Sequence, residues 1–253
     1  MWGRAQGIVT TSEMEIRIHK ALRRSEMKNG YRKTMLLSGI FMLTLGLSGC
    51  AASRSDIIGA YTSPVEKNIG AEKVSVFFLF RHLEQEHGFD AAQKLKTIPV
   101  KDFANIFRDS LAEISNLKSY DTDTEIPTDV DSPVRRQQRD ELRSSNDYTL
   151  EINILEESSF KQQCFSGTIS LLTLTLVPMP YTWDYTINAN LFEKSGKLIR
   201  NYQRRAQLNN WLEAFLIFAY PFYPVEGKRE EIYSGFLHDV FRQIESEKVL
   251  KKP

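Results

Sequence analysis

Cysteine is nearly missing from this chain of 253 residues, which holds only Cys50 and Cys164. So small a number excludes a disulfide framework, and an apolar core must hold whatever folds. Histidine is almost as scarce, at four. His82 and His87 stand five apart, which on a helix separates them by about 140°, whereas a zinc-protease pair four apart shares one face. Arg81 to His87 is expected to be a solvated charged segment. No Gly-x-Ser-x-Gly elbow, phosphate-cradling loop or dinucleotide fingerprint occurs. Asp121-Thr122-Asp123-Thr124-Glu125 opens like a calcium loop, but Ile126 stands where the turn glycine belongs and Ser132 where the bidentate Glu belongs. An acidic, solvated loop is the expectation there. Ser234 and His238 lie on an apolar helical stripe that accounts for them without catalysis. The expectation is a non-enzymatic chain with no catalytic residue, metal or cofactor. Long apolar runs are missing too. Met35 to Leu47 is apolar apart from Ser38, Thr44 and two glycines, and at roughly 1.5 Å per residue it covers about 20 Å, short of the ~30 Å bilayer core.

That short run has other meaning. Lys28, Arg32 and Lys33 precede it, and Leu47-Ser48-Gly49-Cys50 closes it. A basic segment, a short apolar segment and small residues before a cleavage point form the export pattern. The closing tetrapeptide resembles the lipobox of bacterial lipoproteins. The resemblance implies that the Cys50 thiol takes a diacylglycerol, that the chain is cut between Gly49 and Cys50, and that a palmitate-type chain joins the new amino terminus. At about 0.8 kcal/mol per buried CH₂, two or more chains hold a protein on a membrane where one does not. Ala51 and Ala52 follow the anchor, where an inner-membrane member of the family tends to carry Asp; the outer membrane, facing the periplasm, is implied. Met27 opens a signal of ordinary length, so residues 1–26 read as a gene-model extension, 27–49 as the signal peptide and 50–70, rich in Ser, Gly and Pro, as a tether. Residues 71–253 then form a single α+β periplasmic domain.

From Cys50 onward the chain carries 25 of the 33 Lys and Arg and 29 of the 32 Asp and Glu. A formal charge near −4 argues against nucleic acid, whose phosphates need a basic surplus. Cys164, left without a partner, is expected to be a small buried hydrophobe, with an intermolecular bridge or reactive thiol as the alternative.

Apolar spacing orders the rest. Val74 to Phe80 is a near-continuous apolar run, the mark of a strand buried on both faces. Asp90 to Lys96 suggests a short helix. Phe103, Ile106, Phe107, Leu111, Ile114 and Leu117 recur at three- and four-residue steps, which predicts an amphipathic helix over 100–117. Tyr120 to Asp147, acidic first and arginine-rich after, reads as a flexible loop. Tyr148 to Ile154 alternates with period two, Thr168 to Val177 is rich in β-branched residues and Leu, and Trp183 to Leu191 alternates again. Lys194-Ser195-Gly196-Lys197 is a hairpin turn leading into Leu198 to Leu208. Ile232, Phe236, Val240, Phe241 and Ile244 predict a closing helix to about Lys248. The fold expected is α+β: a mainly antiparallel sheet with two amphipathic helices packed on one face.

This order resembles the α/β accessory lipoproteins of bacterial envelopes, including those of curli and exopolysaccharide export. It implies a scaffold, assembly or accessory subunit with envelope protein partners, or, as the alternative, a homo-oligomeric ring or pore component. A hydrolase would need a cleft gathering acids around His82, His87 or His238. Two contact surfaces are expected: the loop at 121–143, and the aromatic stretch Trp211, Phe215, Phe218, Tyr220, Phe222 and Tyr223, which is either ordinary core or an exposed surface and is too short and Pro-broken to span a membrane.

Overall fold

The computed structural model describes residues 49–253 except 69, 89, 98–99, 174–175, 214–223 and 253. Among the described residues seven strands form one mostly antiparallel sheet, accompanied by four α-helices. In chain order these are β1 (Gly49–Arg54), β2 (Val74–His87), β3 (Asp90–Leu95), α1 (Phe103–Leu111), β4 (Leu117–Glu125), α2 (Pro133–Ser145), β5 (Tyr148–Ser159), α3 (Phe160–Leu172), β6 (Met179–Glu193), β7 (Leu198–Glu213) and α4 (Val225–Ser246). Neighbouring strands run β1-β7-β6-β5-β2. β5 lies parallel along one edge of β2, from Val76↔Tyr148 to His87↔Ser159. The other edge is shared between parallel β4, at Val74 to Arg81, and antiparallel β3, at Leu83 to Glu86.

β2 carries the core. Val74, Val76, Phe77, Phe78, Leu79 and Phe80 are all buried, as a continuous apolar run implies. Alternation sends the even-numbered side chains one way and the odd ones the other. Val76, Phe78 and Phe80 join Leu150, Ile152 and Ile154 of β5, Ile187 and Leu191 of β6, Phe107 of α1, and Phe236, Val240 and Phe241 of α4 in a single core. Phe107 meets the Phe78 and Phe80 rings edge-on at 5.0 and 5.1 Å, a preferred aromatic geometry.

The odd side is covered by charge. Asp121, Asp123 and Glu125 of β4 pair in register with Phe77, Leu79 and Arg81, so all three acids share one side of the sheet. α2, capped by the Ser132 hydroxyl, lays arginines at four-residue steps against them. Arg139 is buried and reaches Asp123 at 2.7 Å, Asp129 at 2.8 Å and Glu125 at 3.5 Å. Arg135 takes Asp123 at 2.6 Å, and Arg143 joins Arg81 on Glu151 at 2.8 and 3.2 Å. The flexible loop expected at 120–147 is therefore corrected: a strand, a short 3₁₀ turn and a helix are ion-paired onto the sheet. Asp123, Glu125 and Asp129 are paired with arginines, and Asp121 accepts from the Asn146 amide at 2.9 Å.

The tether expected at 50–70 is also corrected. Its first residues form β1, antiparallel to β7 from Gly49↔Glu213 to Arg54↔Leu208. Beyond it, Ile58 and Arg205 exchange backbone hydrogen bonds at 2.8 and 3.1 Å. The Tyr61 N–H donates to Asp239 at 2.8 Å and the Asn68 N–H to Glu245 at 2.6 Å. Ser, Gly and Pro offer little side chain to pack, but backbone donors bind well to buried carboxylates.

Three smaller expectations also change. Asp90 to Leu95 is a strand, because Gly88 at φ +95° turns the chain back along β2. α1 stops at Leu111, although Ile114 beyond it still reaches the core. The strand expected at Thr168 to Val177 is largely helix. Ser159 caps α3 from the Gln162 N–H, and the Thr168 and Thr173 hydroxyls donate to the carbonyls four residues back, satisfying β-formers inside a helix. Cys164, on α3, is exposed and not the buried hydrophobe expected.

Arg139→Met leaves half-buried Asp123 and buried Asp129 to Arg135 alone, and should lower stability in urea unfolding by about 3 kcal/mol. Arg136→Met, whose guanidinium reaches only the Val130 carbonyl on the surface, should stay within about 0.5 kcal/mol. Equal losses would show that the charged layer does not hold α2 down.

Candidate functional site

Cys50 stands where the described chain has barely begun and is already in a sheet. It pairs with Leu212 of β7, and Leu212 pairs on its other side with Met179, the first residue of β6. Ala51 pairs with Trp211, and Trp211 with Pro180. Three strands thus bring Cys50, Trp211 and the start of β6 to one end of the sheet, within about 10 Å across at normal strand spacing. α3 packs at the same place: the Ser166 hydroxyl donates to the Pro180 carbonyl at 2.9 Å. Of the aromatic surface expected from sequence, Trp211 is here and 37% exposed. Phe215, Phe218, Tyr220, Phe222 and Tyr223 lie outside the described residues.

The three histidines do not meet. His87 Nε2 lies 2.9 Å from Glu157, beside a groove of about 590 Å³ on the open side of β5 to β7, lined by Asp184, Asn188, Gln203 and Arg205. His238 Nδ1 lies 2.8 Å from Glu113, which also takes Arg242 at 3.1 Å. Asp239, next to His238, serves Arg204 and the Tyr61 amide instead. The cleft that a hydrolase would need is not assembled from these residues. Among the described residues no three His, Cys, Asp or Glu side chains are grouped to hold a metal ion.

His82 corrects the expectation of a solvated segment. It lies in β2 beyond the apolar run, on the even side, fully buried against the Phe80, Phe103 and Tyr233 rings. Neither ring nitrogen has a hydrogen-bond partner within the described protein. Burial, with Lys96 nearby, lowers its pKa to about 4. Glu156 beneath it takes Lys96 at 2.8 Å and Arg229 at 3.6 Å, and Arg229 donates to the Tyr185 hydroxyl at 3.1 Å. The Tyr185 and Tyr233 hydroxyls are pushed above the usual phenol range, first by burial and then by the Glu156 charge. His82, Tyr185 and Tyr233 are buried in the core, so near neutrality the imidazole is neutral and both phenols keep their protons. The alternation of Leu79, Phe80, Arg81 and His82 along one strand was the signal that His82 would be inside.

No family model matches the chain, and no curated protein matches it. Solved structures similar to it include the PelC dodecamer from Paraburkholderia phytofirmans and a point variant of the same dodecamer. Each is 8% identical over 76% of this chain, and the matches span 96% and 97% of those chains, with a TM-score of 0.27. A likeness of that size carries no argument about this protein. Among the described residues no helix is long and apolar enough to cross a membrane.

His82 sets a pH dependence of defined sign. In the unfolded chain it titrates near 6.5; in the fold, near 4. Above pH 6.5 both states are neutral and the stability is whole. As pH falls from 6.5 toward 4, only the unfolded chain takes the proton, and up to about 3 kcal/mol is lost. His82→Phe should remove that part of the slope, seen by urea unfolding at a series of pH values. An unaltered slope would show that the ring is not held neutral.

Proposed function

We propose that this chain is a lipid-anchored envelope protein, held in the outer membrane facing the periplasm, and that it works as a non-enzymatic scaffold, assembly or accessory subunit. One observation carries the proposal: Leu47-Ser48-Gly49-Cys50 closing a short apolar run behind Lys28, Arg32 and Lys33. Cleavage before Cys50 removes only the first residue of β1 and leaves the acylated cysteine at the head of a strand. Membrane lipid is then the first partner and envelope proteins the next. In the same proposal α1 and α4 cover one face of the sheet, which leaves the polar side of β5 to β7 open to a partner. The scattering of His82, His87 and His238 favours a binding role over hydrolysis. The contact surface expected at 121–143 is not part of the proposal, because Asp123, Asp129, Arg135, Arg139 and Arg143 are ion-paired within the fold.

Cells fed labelled palmitate should incorporate it into the wild-type chain and not into Cys50→Ser, and the variant should leave the membrane fraction. Label retained by the variant, or intact mass showing an unmodified thiol with residues before it still attached, overturns the proposal.

A further inference from the structure

The longest stretch of this chain without a single charged residue is Gln162 to Trp183, which follows Lys161 and ends before Asp184. It contains most of α3 and the chain leading into β6. Its apolar side chains are not all used for packing. Phe165, Leu171, Leu172, Leu176 and Val177 are 61, 68, 74, 55 and 43% exposed, and Trp211 stands across the strand pair from Pro180. Seven of the twelve exposed large hydrophobics among the described residues belong to α3, to the chain after it or to Trp211. Single exposed leucines need no explanation, but a cluster this dense does.

The position of Cys50 says what covers it. Cys50, Leu212 and Met179 lie side by side on adjacent strands. Val177 and Leu176 precede Met179 by two and three residues, so they lie within about 10 Å of it. A chain anchored through Cys50 has no slack, because the residue after the anchor is already paired in β1. The end of the sheet that holds Cys50 is therefore held against the lipid, and the uncharged apolar surface beside it is at the same end.

We propose that the exposed face of α3, with Leu176, Val177 and Trp211, seats on the bilayer as a monotopic contact, with hydrocarbon and the interfacial layer as its occupant. Such a face needs apolar side chains, an aromatic ring near the headgroups and no buried charge, and this one has all three. The inference rests on the anchoring proposed above for its orientation, but its binding chemistry is tested without the anchor.

Residues 51–253 contain the core and nearly every strand pairing, so this part can be studied as a folded domain lacking the acylated cysteine. Flotation with phosphatidylethanolamine–phosphatidylglycerol vesicles is measured at roughly 0.5 M salt, where charge attraction is screened within a few ångströms. The domain should float, and the triple variant Leu171→Gln, Leu172→Gln, Leu176→Gln should bind roughly tenfold more weakly or worse. Its thermal midpoint should not change, since all three side chains are largely exposed. A wild-type domain that stays in the soluble fraction overturns the proposal, as does a variant that floats equally well. An oligomer in solution that the triple substitution dissociates would overturn it in favour of a contact between copies. None of these outcomes depends on acylation of Cys50, which the palmitate experiment decides separately.

Discussion

A strand buried on both faces is the constraint around which this molecule is arranged. Val74 to Phe80 places aromatic and aliphatic side chains alternately on each side of the sheet, and each is worth about 1.5–3 kcal/mol only if water is kept from it. The even side packs into a core that takes in Phe107 of α1 and Phe236, Val240 and Phe241 of α4. The odd side is closed by arginines and carboxylates. Buried charge costs several kcal/mol per ion unless it is matched, and the matching is dense: Arg135 and Arg139 share Asp123 and Asp129, while Arg81 and Arg143 share Glu151. Such a layer demands a particular register between β4 and α2, because a shift of one residue along β4 would send all three acids to the other face. An apolar cover would tolerate more sliding.

The same use of carboxylates fixes the amino-terminal segment. Asp239 holds Arg204 and the Tyr61 amide; Glu245 holds the Asn68 amide and Ser115. A free tether of about twenty residues would wander with an end-to-end distance near 25 Å. Here the chain from Cys50 runs in β1 and then across β7 toward α4, so Cys50 is part of the sheet. Under the proposed anchoring, a sheet held this way would present its polar face at one orientation, whereas a tethered one would sample many.

Much of this was legible in the residues. The unbroken apolar run of β2, the alternation of Tyr148 to Ile154 and of Trp183 to Leu191, the Gly196 turn and the stripe from Ile232 to Ile244 each have one physical explanation, and each lies where that explanation puts it. Other features obeyed the same periodicities with charged residues, and so were hidden. Asp121, Asp123 and Glu125 alternate as strand residues do; Arg135, Arg139 and Arg143 recur every fourth position as helix residues do. A search for periodic apolar residues passes over both, because charge is expected to face water. His82 was hidden by its charged neighbours, although the alternation of β2 continued through it. The docking of residues 55–68 left little side-chain trace, since amides do much of the binding and Ile57, Tyr61 and Ser55 add side-chain contacts. α3 was misleading for the opposite reason: its Thr, Ile and Leu content suits a strand, and only the Ser159 cap and back-bonded threonines show how a helix accommodates it.

Charge is distributed unequally along the sheet, and the inequality has a direction. At the β4 edge Asp121, Asp123 and Glu125 share the odd side, and arginines reach Asp123 and Glu125. Toward the β1 edge, five strands away in the order of pairing, β6 begins within a run of twenty-two consecutive residues without charge. Packing does not require that absence, because several side chains of α3 are exposed to a degree at which Lys or Glu would cost nothing in water. It is explained if that surface meets a medium in which charge is expensive: a central Lys or Asp costs about 2.5–3.5 kcal/mol in a bilayer, and unpaired polar groups are penalised there too. Thr168, Thr173 and Ser166 each donate to a backbone carbonyl, while the buried Ser170 hydroxyl has no hydrogen-bond partner among the described residues. A surface that leaves leucines in the open and carries no charge suits the lipid contact proposed for it, and it stands at the end of the sheet that bears Cys50.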